Sequence, residues 1–271
     1  MSGLDVFDAY SPLEIARRIE SVGEAKARMA TLPLALLGVL AGAFIGLGAM
    51  LFVLVKSDPT LSFAASAVLG GLVFAVGLFM VVVAGAELFT GNNLIVMAWA
   101  DGRVSTAQVL RNWGIVCVAN GVGAAGLALL VYASGHASLN GGAVAHQVVQ
   151  IAVAKQELPF VTALLRGLLC NVLVCMAVWM AMAGRSVTDK AVAVVLPVMA
   201  FVAAGFEHSI ANLYLMPLAM LLQHGGLSGQ AAITWGGMLG NLFPVILGNL
   251  LGGAVLVAGV YHVIYKRQPP G

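Results

Sequence analysis

The chain has 271 residues, of which 61% are hydrophobic and 9% are charged, and its mean hydropathy is +1.01. These values exclude an ordinary soluble globular domain and predict an integral membrane protein. The net charge of +2, from 13 basic and 11 acidic residues, gives no nucleic-acid signature. Cys117, Cys170 and Cys175 lie in apolar stretches without metal or redox spacing, so they are interpreted as buried free thiols.

The first thirty residues lack the apolar core of a cleaved signal peptide, and none is expected. Within them, Ser11-Pro12 followed by Glu14 is typical of a helix start with a capping box. The pattern predicts an amphipathic helix over residues 11–29 at the cytoplasmic surface, as a membrane anchor or as a gate over a pore mouth. Its apolar face is formed by Leu13, Ile15, Ile19 and Val22.

Six long apolar stretches follow, each of about 20 residues or more, which is the length that crosses a bilayer as a helix. The second and fifth are too long for one crossing, and each is interrupted by a polar motif, "AGAELFTGN" at 84–92 and "AGFEHSIAN" at 204–212. Each is therefore interpreted as two half-helices joined by unwound backbone. The predicted spans are 31–55, 66–100, 105–134, 159–184, 188–223 and 233–265.

Basic residues indicate the orientation of these spans. They concentrate in 1–30, 100–111 and 185–190 and at the C-terminus, whereas the alternate loops hold only Lys56 and Lys155. By the positive-inside rule both termini are expected in the cytoplasm. The chain then divides into a cytoplasmic N-terminal helix in 1–30, a six-span channel domain over 31–265 and a short cytoplasmic tail over 266–271.

The two halves of the chain repeat each other. The frame Ala-Gly-x-Glu-x-x-x-small-Asn recurs after 120 residues, and Asn112 and Asn120 recur as Asn241 and Asn249 after 129. Because each half has an odd number of spans, the second copy must enter the membrane from the opposite face. The fold class predicted is an all-α membrane protein with a 3+3 inverted repeat, which places a transport site at the midplane between the broken helices.

The carboxylates inside the breaks need an explanation, since unwound backbone in a membrane survives only when it is buried in protein or faces a watery cavity. Glu87 and Glu207 are expected to accept hydrogen bonds from the freed backbone N–H groups, with direct substrate contact as the alternative. Asn92 and Asn212 share this structural role. Asn249 is interpreted as a structural pin because the other half contains its counterpart.

His208 has no counterpart in the repeat, since Leu88 takes its place in the first half. An ionisable residue at a helix break is a functional candidate, because an approaching anion favours its charged form and desolvation favours the neutral one. Thr90 lies in the opposite break and can offer a hydroxyl to the same solute. Asn171 either lines the path or ties helices together, and Lys155 is either a solvated loop lysine or one that concentrates anions at a vestibule.

Four motifs occur in order along the chain: "AGAELFTGNN", "CNVLVCMAVWMA", "GRSVTDKA" and "FVAAGFEHSIAN". In these motifs, and over nearly its whole length, the chain resembles the formate/nitrite transporter family. Residues 182–220 and the N-terminal "FDAYSPLEIARRIE" look closest to the formate channels, whereas "AGAELFTG" and "RGLLCN" look more like the nitrite members. The resemblance implies an aquaporin-like fold and a homopentamer with one pore through each protomer.

The resemblance also implies residue roles. His208 corresponds to the central histidine, Thr90 faces it, and Asn171 and Lys155 match the pore asparagine and the outer lysine. An inner apolar constriction is implied at Leu78, Leu88 and Val174 and an outer one at Phe74 and Phe201, although sequence pattern alone assigns all five to packing.

The predicted function is passage of a small monovalent anion, formate first, with nitrite and then hydrosulfide or lactate as alternatives. In low dielectric the anion's charge must be compensated, by a proton from His208 or by an imidazolium nearby. A neutral-solute pore of the aquaporin type predicts Asn-Pro-Ala at each break, and neither break has it. A metalloprotease would need His-Glu-x-x-His, which "FEHSIAN" does not supply.

The remaining expectations concern partners and location. No enzyme activity, cofactor, metal or nucleic-acid partner is expected. The expected partners are the anion, protons, the lipid bilayer and further copies of the chain, in a bacterial or archaeal cytoplasmic membrane.

Overall fold

A computed structural model describes residues 10–266, all of them helical or connecting, with no strand in that range. Residues 1–9 of the predicted N-terminal segment and 267–271 of the predicted tail lie outside the described residues. Eleven α-helices follow one another in the described range: α1 Pro12–Arg28, α2 Thr31–Lys56, α3 Phe63–Ala84, α4 Val96–Ala100, α5 Thr106–Ala133, α6 Ala143–Gln156, α7 Phe160–Ala181, α8 Val187–Ala203, α9 Ser209–His224, α10 Trp235–Leu250 and α11 Val260–Lys266.

Helix α1 begins with the predicted capping box. The Ser11 backbone N–H donates to the Glu14 carboxylate at 2.7 Å, and the Glu14 N–H donates back to the Ser11 hydroxyl. Its apolar face, with Ile15 and Ile19 buried, packs on protein, namely on the 3-10 segment Gly91–Ile95 and on α4. The helix therefore buries Ile15 and Ile19 inside the molecule, and its interpretation as a membrane anchor or as a gate stays a prediction.

Five helices are long and apolar enough to cross a membrane within the described residues, judged by length and composition. They are α2, α3, α5, α7 and the continuous helix Trp235–Tyr265, in which α10 runs through a π-helical segment, Leu251–Gly259, into α11. The predicted span 188–223 is divided into α8 and α9, of 17 and 16 residues.

Helical backbone is interrupted inside both polar motifs. Helix α3 ends at Ala84, with Gly85 at φ 78°, and helical turns resume at Gly91 as a 3-10 segment, Gly91–Ile95. Helix α8 ends at Ala203, with Gly205 at φ 70° before α9 begins. Glycine terminates both helices because it adopts a left-handed conformation without a Cβ clash. The interpretation of each pair as one broken crossing stays a prediction.

Each half of the chain contains a close helix pair, and the two pairs match. A Cβ on Gly123 of α5 would collide with the Val39 carbonyl of α2, and a Cβ on Gly252 would collide with the Leu168 carbonyl of α7. The two glycines and the two carbonyl residues are each 129 residues apart. This close packing of the helices brings Asn120 of α5 and Asn249 of α10 within hydrogen-bond distance of the interruptions.

Helix α6 was not predicted from the sequence, which treated the region before the fourth span as a loop. It is too short to span a membrane, but Val144, Val148 and Ala152 recur at helical spacing and are buried, a signal that could have identified it. Lys155 lies in its last turn. The interpretation of Lys155 as a solvated loop lysine is therefore wrong.

Candidate functional site

The first interruption is held by an asparagine from α5. The Phe89 N–H donates to Asn120 Oδ1 at 2.9 Å, and Asn120 Nδ2 donates to the carbonyls of Glu87 at 2.9 Å and Gly38 at 2.7 Å. The Glu87 N–H donates to the Leu37 carbonyl at 3.2 Å. These bonds satisfy backbone groups that the ended helix leaves without intrahelical partners.

The second interruption is held in the same way by α10. The Ser209 N–H donates to Asn249 Oδ1 at 3.1 Å, and Asn249 Nδ2 donates to the carbonyls of Glu207 at 3.0 Å and Gly167 at 2.8 Å. The Glu207 N–H donates to the Arg166 carbonyl at 3.3 Å. Asn249 thus links α10, α7 and the interruption, the contacts expected of a structural pin.

The Glu87 carboxylate pairs with a lysine from α1. Lys26 Nζ lies 2.9 Å from Glu87 Oε1 and donates to Asn92 Oδ1 at 3.0 Å. Asn92 Nδ2 donates to Glu87 Oε2 at 2.8 Å and to Asn112 Oδ1 at 3.0 Å. Asn112 Nδ2 completes the ring by donating to the Lys26 carbonyl at 3.1 Å.

The Glu207 carboxylate pairs with Lys155 of α6 in the equivalent network. Lys155 Nζ lies 2.7 Å from Glu207 Oε1, and Asn212 Nδ2 donates to Glu207 Oε2 at 2.7 Å. Asn212 Nδ2 also donates to Asn241 Oδ1 at 2.7 Å, and Asn241 Nδ2 donates to the Lys155 carbonyl at 2.9 Å. The positive charge of Lys155 is therefore balanced by a carboxylate.

The expectation that Glu87 and Glu207 accept from freed backbone N–H groups is wrong. Those N–H groups bond to asparagine side chains and carbonyls of neighbouring helices, which leaves the carboxylates to the lysines. Sequence reasoning did not select Lys26 as a site residue. The available signal was its spacing of 129 residues from Lys155, the offset of the paired asparagines.

His208 is the N-cap of α9 and contacts Thr90 from the other interruption. Its Nδ1 accepts from the Ala211 N–H at 3.2 Å, and its Nε2 lies 3.1 Å from Thr90 Oγ1. Since a backbone N–H only donates, Nδ1 holds no proton, and a neutral imidazole then carries its proton on Nε2 and donates it to Thr90. The hydroxyl hydrogen of Thr90 is left for another acceptor.

Asn171 ties helices together through its amide nitrogen. Nδ2 donates to the Asn249 carbonyl at 2.6 Å and to the Thr90 carbonyl at 3.3 Å. The residue is buried and lines neither of the two cavities described next. This geometry corresponds to the helix-tying alternative.

Two cavities approach the interruptions and share no lining residue. The Lys26 cavity, of about 200 Å³, is lined by Lys26, Glu87, Leu78 and Leu88 among others. The Lys155 cavity, of about 220 Å³, includes Lys155, Glu207, His208, Phe74 and Phe201, whose two phenyl rings meet edge to face at 5.8 Å. The predicted constriction residues Leu78 and Leu88 thus face one cavity and Phe74 and Phe201 the other, while the buried Val174 lines neither.

The cysteines are free thiols, as interpreted from the sequence. Cys170 and Cys175 are buried and Cys117 is half-buried. Within residues 10–266, no three His, Cys, Asp or Glu side chains gather as potential metal ligands.

Apolar helices long enough to span a membrane, around a buried polar centre with two separate cavities beside it, are typical of a multi-pass membrane transport protein. A family model described as "Formate/nitrite transporter" matches residues 13–263. The chain belongs to the formate/nitrite transporter family.

Individual relatives agree over almost their full lengths. The "Formate channel FocA" of Escherichia coli (strain K12) is 37% identical over 275 residues, covering 97% of this chain and 96% of the relative. The "Probable formate transporter" of Methanothermobacter thermautotrophicus is 35% identical over 279 residues, covering 95% and 98%. Relatives of this kind are described as channels or transporters.

Two solved structures are similar in fold. One is described as a "Pentameric formate channel with formate bound", with a TM-score of 0.79 at 34% identity, covering 88% of this chain and 98% of that one. The other is described as an "FNT family ion channel", with a TM-score of 0.83 at 29% identity, covering 94% and 99%.

Proposed function

We propose that the protein conducts a small monovalent anion, formate first, through a pore in each protomer of a homopentamer. The relatives described as formate channels, one of them solved as a pentamer with formate bound, support this proposal. The observation that carries it is the contact of 3.1 Å between His208, which lines the Lys155 cavity, and Thr90, two residues after Leu88 of the Lys26 cavity.

This pair offers an anion two hydrogen-bond donors. An arriving carboxylate replaces Thr90 as the acceptor for the Nε2 proton of His208, and the Thr90 hydroxyl donates its own hydrogen. In a dehydrated site these two dipoles offset part of the cost of bringing in a negative charge. Leu78 and Leu88 on one side and Phe74 and Phe201 on the other act as the apolar constrictions that exclude hydrated ions, and Val174, which lines neither cavity, is left out of this proposal.

A second proton on His208 requires a local rearrangement. Protonated Nδ1 would face the Ala211 N–H, donor against donor, so the cap bond of 3.2 Å must open first. Transfer of a proton to formate, and equally charge compensation by an imidazolium, therefore passes through a state in which the start of α9 is uncapped. Conduction by the neutral imidazole does not need that step.

The orientation of the pore in the membrane follows from the proposed repeat and from the distribution of basic residues. We propose that the two halves form a 3+3 inverted repeat in the cytoplasmic membrane with both termini inside. The distribution of lysine and arginine and the matching networks at Glu87 and Glu207 support this arrangement. The Lys26 cavity then opens to the cytoplasm and the Lys155 cavity to the outside, and each holds a lysine that is paired with a carboxylate.

Flux measurements in proteoliposomes test the function. Wild type, His208→Asn and the control Cys170→Ala are compared at two pH values with formate, nitrite, lactate, acetate and hydrosulfide. We expect formate to be fastest and His208→Asn to lose the pH dependence, with Cys170→Ala unchanged because, among the described residues, no hydrogen bond joins that thiol to His208 or Thr90. Wild-type, pH-dependent formate flux in His208→Asn would refute the role of His208. Nitrite exceeding formate would favour the second candidate, which the first-break motif "AGAELFTG" supports.

A further inference from the structure

The carbonyl of Thr90 is the acceptor for three buried side chains. Asn93 Nδ2 donates to it at 3.0 Å, Asn171 Nδ2 at 3.3 Å and Cys175 Sγ at 3.5 Å. Asn93 Nδ2 also donates to the Phe89 carbonyl at 2.9 Å. Asn93 lies on the 3-10 segment and the other two donors on α7, so the residue that contacts His208 is held from two directions.

The amide orientations follow from these partners. Every acceptor of Asn93 and Asn171 is a backbone carbonyl, which requires the NH₂ group of each amide to face it. Their Oδ1 atoms are consequently buried without a hydrogen-bond partner among residues 10–266. Unpaired buried acceptors are costly, so two amides at this place are poor choices for packing alone.

The donors to Thr90 are also the part of the centre that the repeat does not share. In the second half Ile210 stands where Thr90 stands in the first, and Leu213 stands at the place of Asn93. Asn171 and Cys175 correspond to glycines of α2, Gly42 and Gly46. Since the second interruption is held without such donors, this cluster is not needed to hold an interruption.

The π-helical segment makes room for the same cluster. A Cβ on Gly253 would lie 2.8 Å from both Asn93 Cβ and Cys175 Sγ and would collide with Asn171 Nδ2. Its counterpart in α5 is Ala124. π-Helical turns are frequent at functional sites, and here the wider turn places a glycine against all three donor residues.

We propose that Asn93 is a positioning residue for transport. By fixing the Thr90 carbonyl it keeps Thr90 Oγ1 within hydrogen-bond distance of His208 Nε2. Asn93 acts through Thr90 and does not touch the anion. The effect on flux rests on the proposed function, whereas the effect on the hydrogen bond at His208 Nε2 does not.

A double-mutant cycle on flux is the first test. Asn93→Leu, which inserts the residue of the second half, is expected to lower formate flux about five- to tenfold, since it removes a buried donor. In a Thr90→Val background the same change is expected to lower flux by less than about twofold, because the Thr90 hydroxyl that Asn93 positions is already absent. Equal fold-changes in both backgrounds would overturn the proposal.

Two further comparisons separate positioning from packing. Asn93→Ser retains a hydroxyl that reaches carbonyls three or four residues earlier, so it is expected to recover most of the flux and to provide a testable variant if Asn93→Leu does not assemble. Cys175→Ala, which removes a donor to Thr90, is expected to lower flux by about twofold, and the matched Cys170→Ala to leave it unchanged. Asn93→Ser as slow as Asn93→Leu would overturn the proposal.

Nitrogen-15 NMR of histidine-labelled protein reads the hydrogen bond at His208 Nε2 without any substrate. The His208 signals are assigned by their loss in His208→Asn. Wild type and Asn93→Leu are both expected to show protonated Nε2 and bare Nδ1, because the Ala211 N–H fixes the tautomer, whereas the Nε2 chemical shift is expected to move in Asn93→Leu as the bond to Thr90 weakens. An unchanged Nε2 shift in Asn93→Leu would overturn the proposal even if formate is conducted, and a changed shift would support it even if another anion is the substrate.

Discussion

Lys155 lies 129 residues after Lys26 and makes the same ion pair, with Nζ–Oε1 distances of 2.7 Å and 2.9 Å to Glu207 and Glu87. Because Lys26 belongs to α1 and Lys155 to α6, these two short helices are equivalent elements. Each half of the molecule therefore contains a lysine-bearing helix in addition to its spans. The first helix thus matches α6 at the spacing of the paired asparagines and supplies a charge to the polar centre.

Removing Lys155 is expected to destabilise the protein. Lys155→Met leaves the Glu207 carboxylate, with a side chain only 4% exposed, without its cation. We expect a loss of about 3 kcal/mol, read as a lower melting temperature in detergent. Lys155→Met combined with Glu207→Gln should recover part of it, since no unpaired charge remains. Lys26→Met is the matched comparison and should cost less, because Lys26 is more exposed, 26% against 15%. A Lys155→Met protein as stable as wild type would contradict the assignment.

The Thr90 hydroxyl is expected to be required for conduction. Thr90→Val keeps the side-chain volume but leaves the His208 Nε2 proton without an acceptor, a cost of about 1–3 kcal/mol. Flux should fall about tenfold in proteoliposomes, whereas Thr90→Ser should remain within about twofold of wild type. If Thr90→Val conducts as fast as Thr90→Ser, the hydroxyl does not act on the anion.

The attachment of α1 should depend on pH through Glu20. Burial, followed by the neighbouring Asp101, raises the pKa of Glu20 above its usual 4.5, and Arg103, 2.9 Å away, lowers it in part. The folded state therefore binds the proton more tightly, and the stability this provides is present below about pH 4.5 and is lost as pH rises through the raised pKa.

Hydrogen exchange of α1 measures this dependence. Amide protection should decrease as the pH rises above 4.5, once the intrinsic exchange rate is corrected, and Glu20→Gln should weaken the trend. Glu14 is the comparison, because the Ser11 backbone N–H lowers its pKa and the capping contribution is lost only as pH falls. An identical pH trend in Glu20→Gln and wild type would exclude Glu20 as the cause.

The left-handed glycine at the second interruption should not tolerate a side chain. A Cβ on Gly205 meets no atom within 4 Å, so the cost of Gly205→Ala is the backbone strain at φ 70°, about 1–2 kcal/mol. Gly114→Ala on α5 also meets no atom within 4 Å, and in a helix it should be neutral or stabilising by about 0.5–1 kcal/mol. Melting temperatures of the two variants provide the test, and equal values would show that the turn can relax.

The sequence by itself determined the helical class, most span boundaries and the residues of the repeat. Hydropathy over about 20 residues depends only on neighbours along the chain, so α2, α5, α7 and the last helix were predicted to within a few residues. Comparing the two motifs also separated the shared Glu87 and Glu207 from the unshared His208, because a repeat can be recognised without coordinates.

Only the tertiary structure decided which groups bond to which. Glu87 meets Lys26 across 61 residues and Thr90 meets His208 across 118, and no local pattern selects such partners from several lysines and hydroxyls. Helix α6 was missed because a short helix with small buried residues lacks the long apolar run of a span. The contact of Asn93 with Thr90 was missed for a different reason: a single polar residue in an apolar region does not reveal its partner, and only the coordinates show that its amide donates to the Thr90 carbonyl.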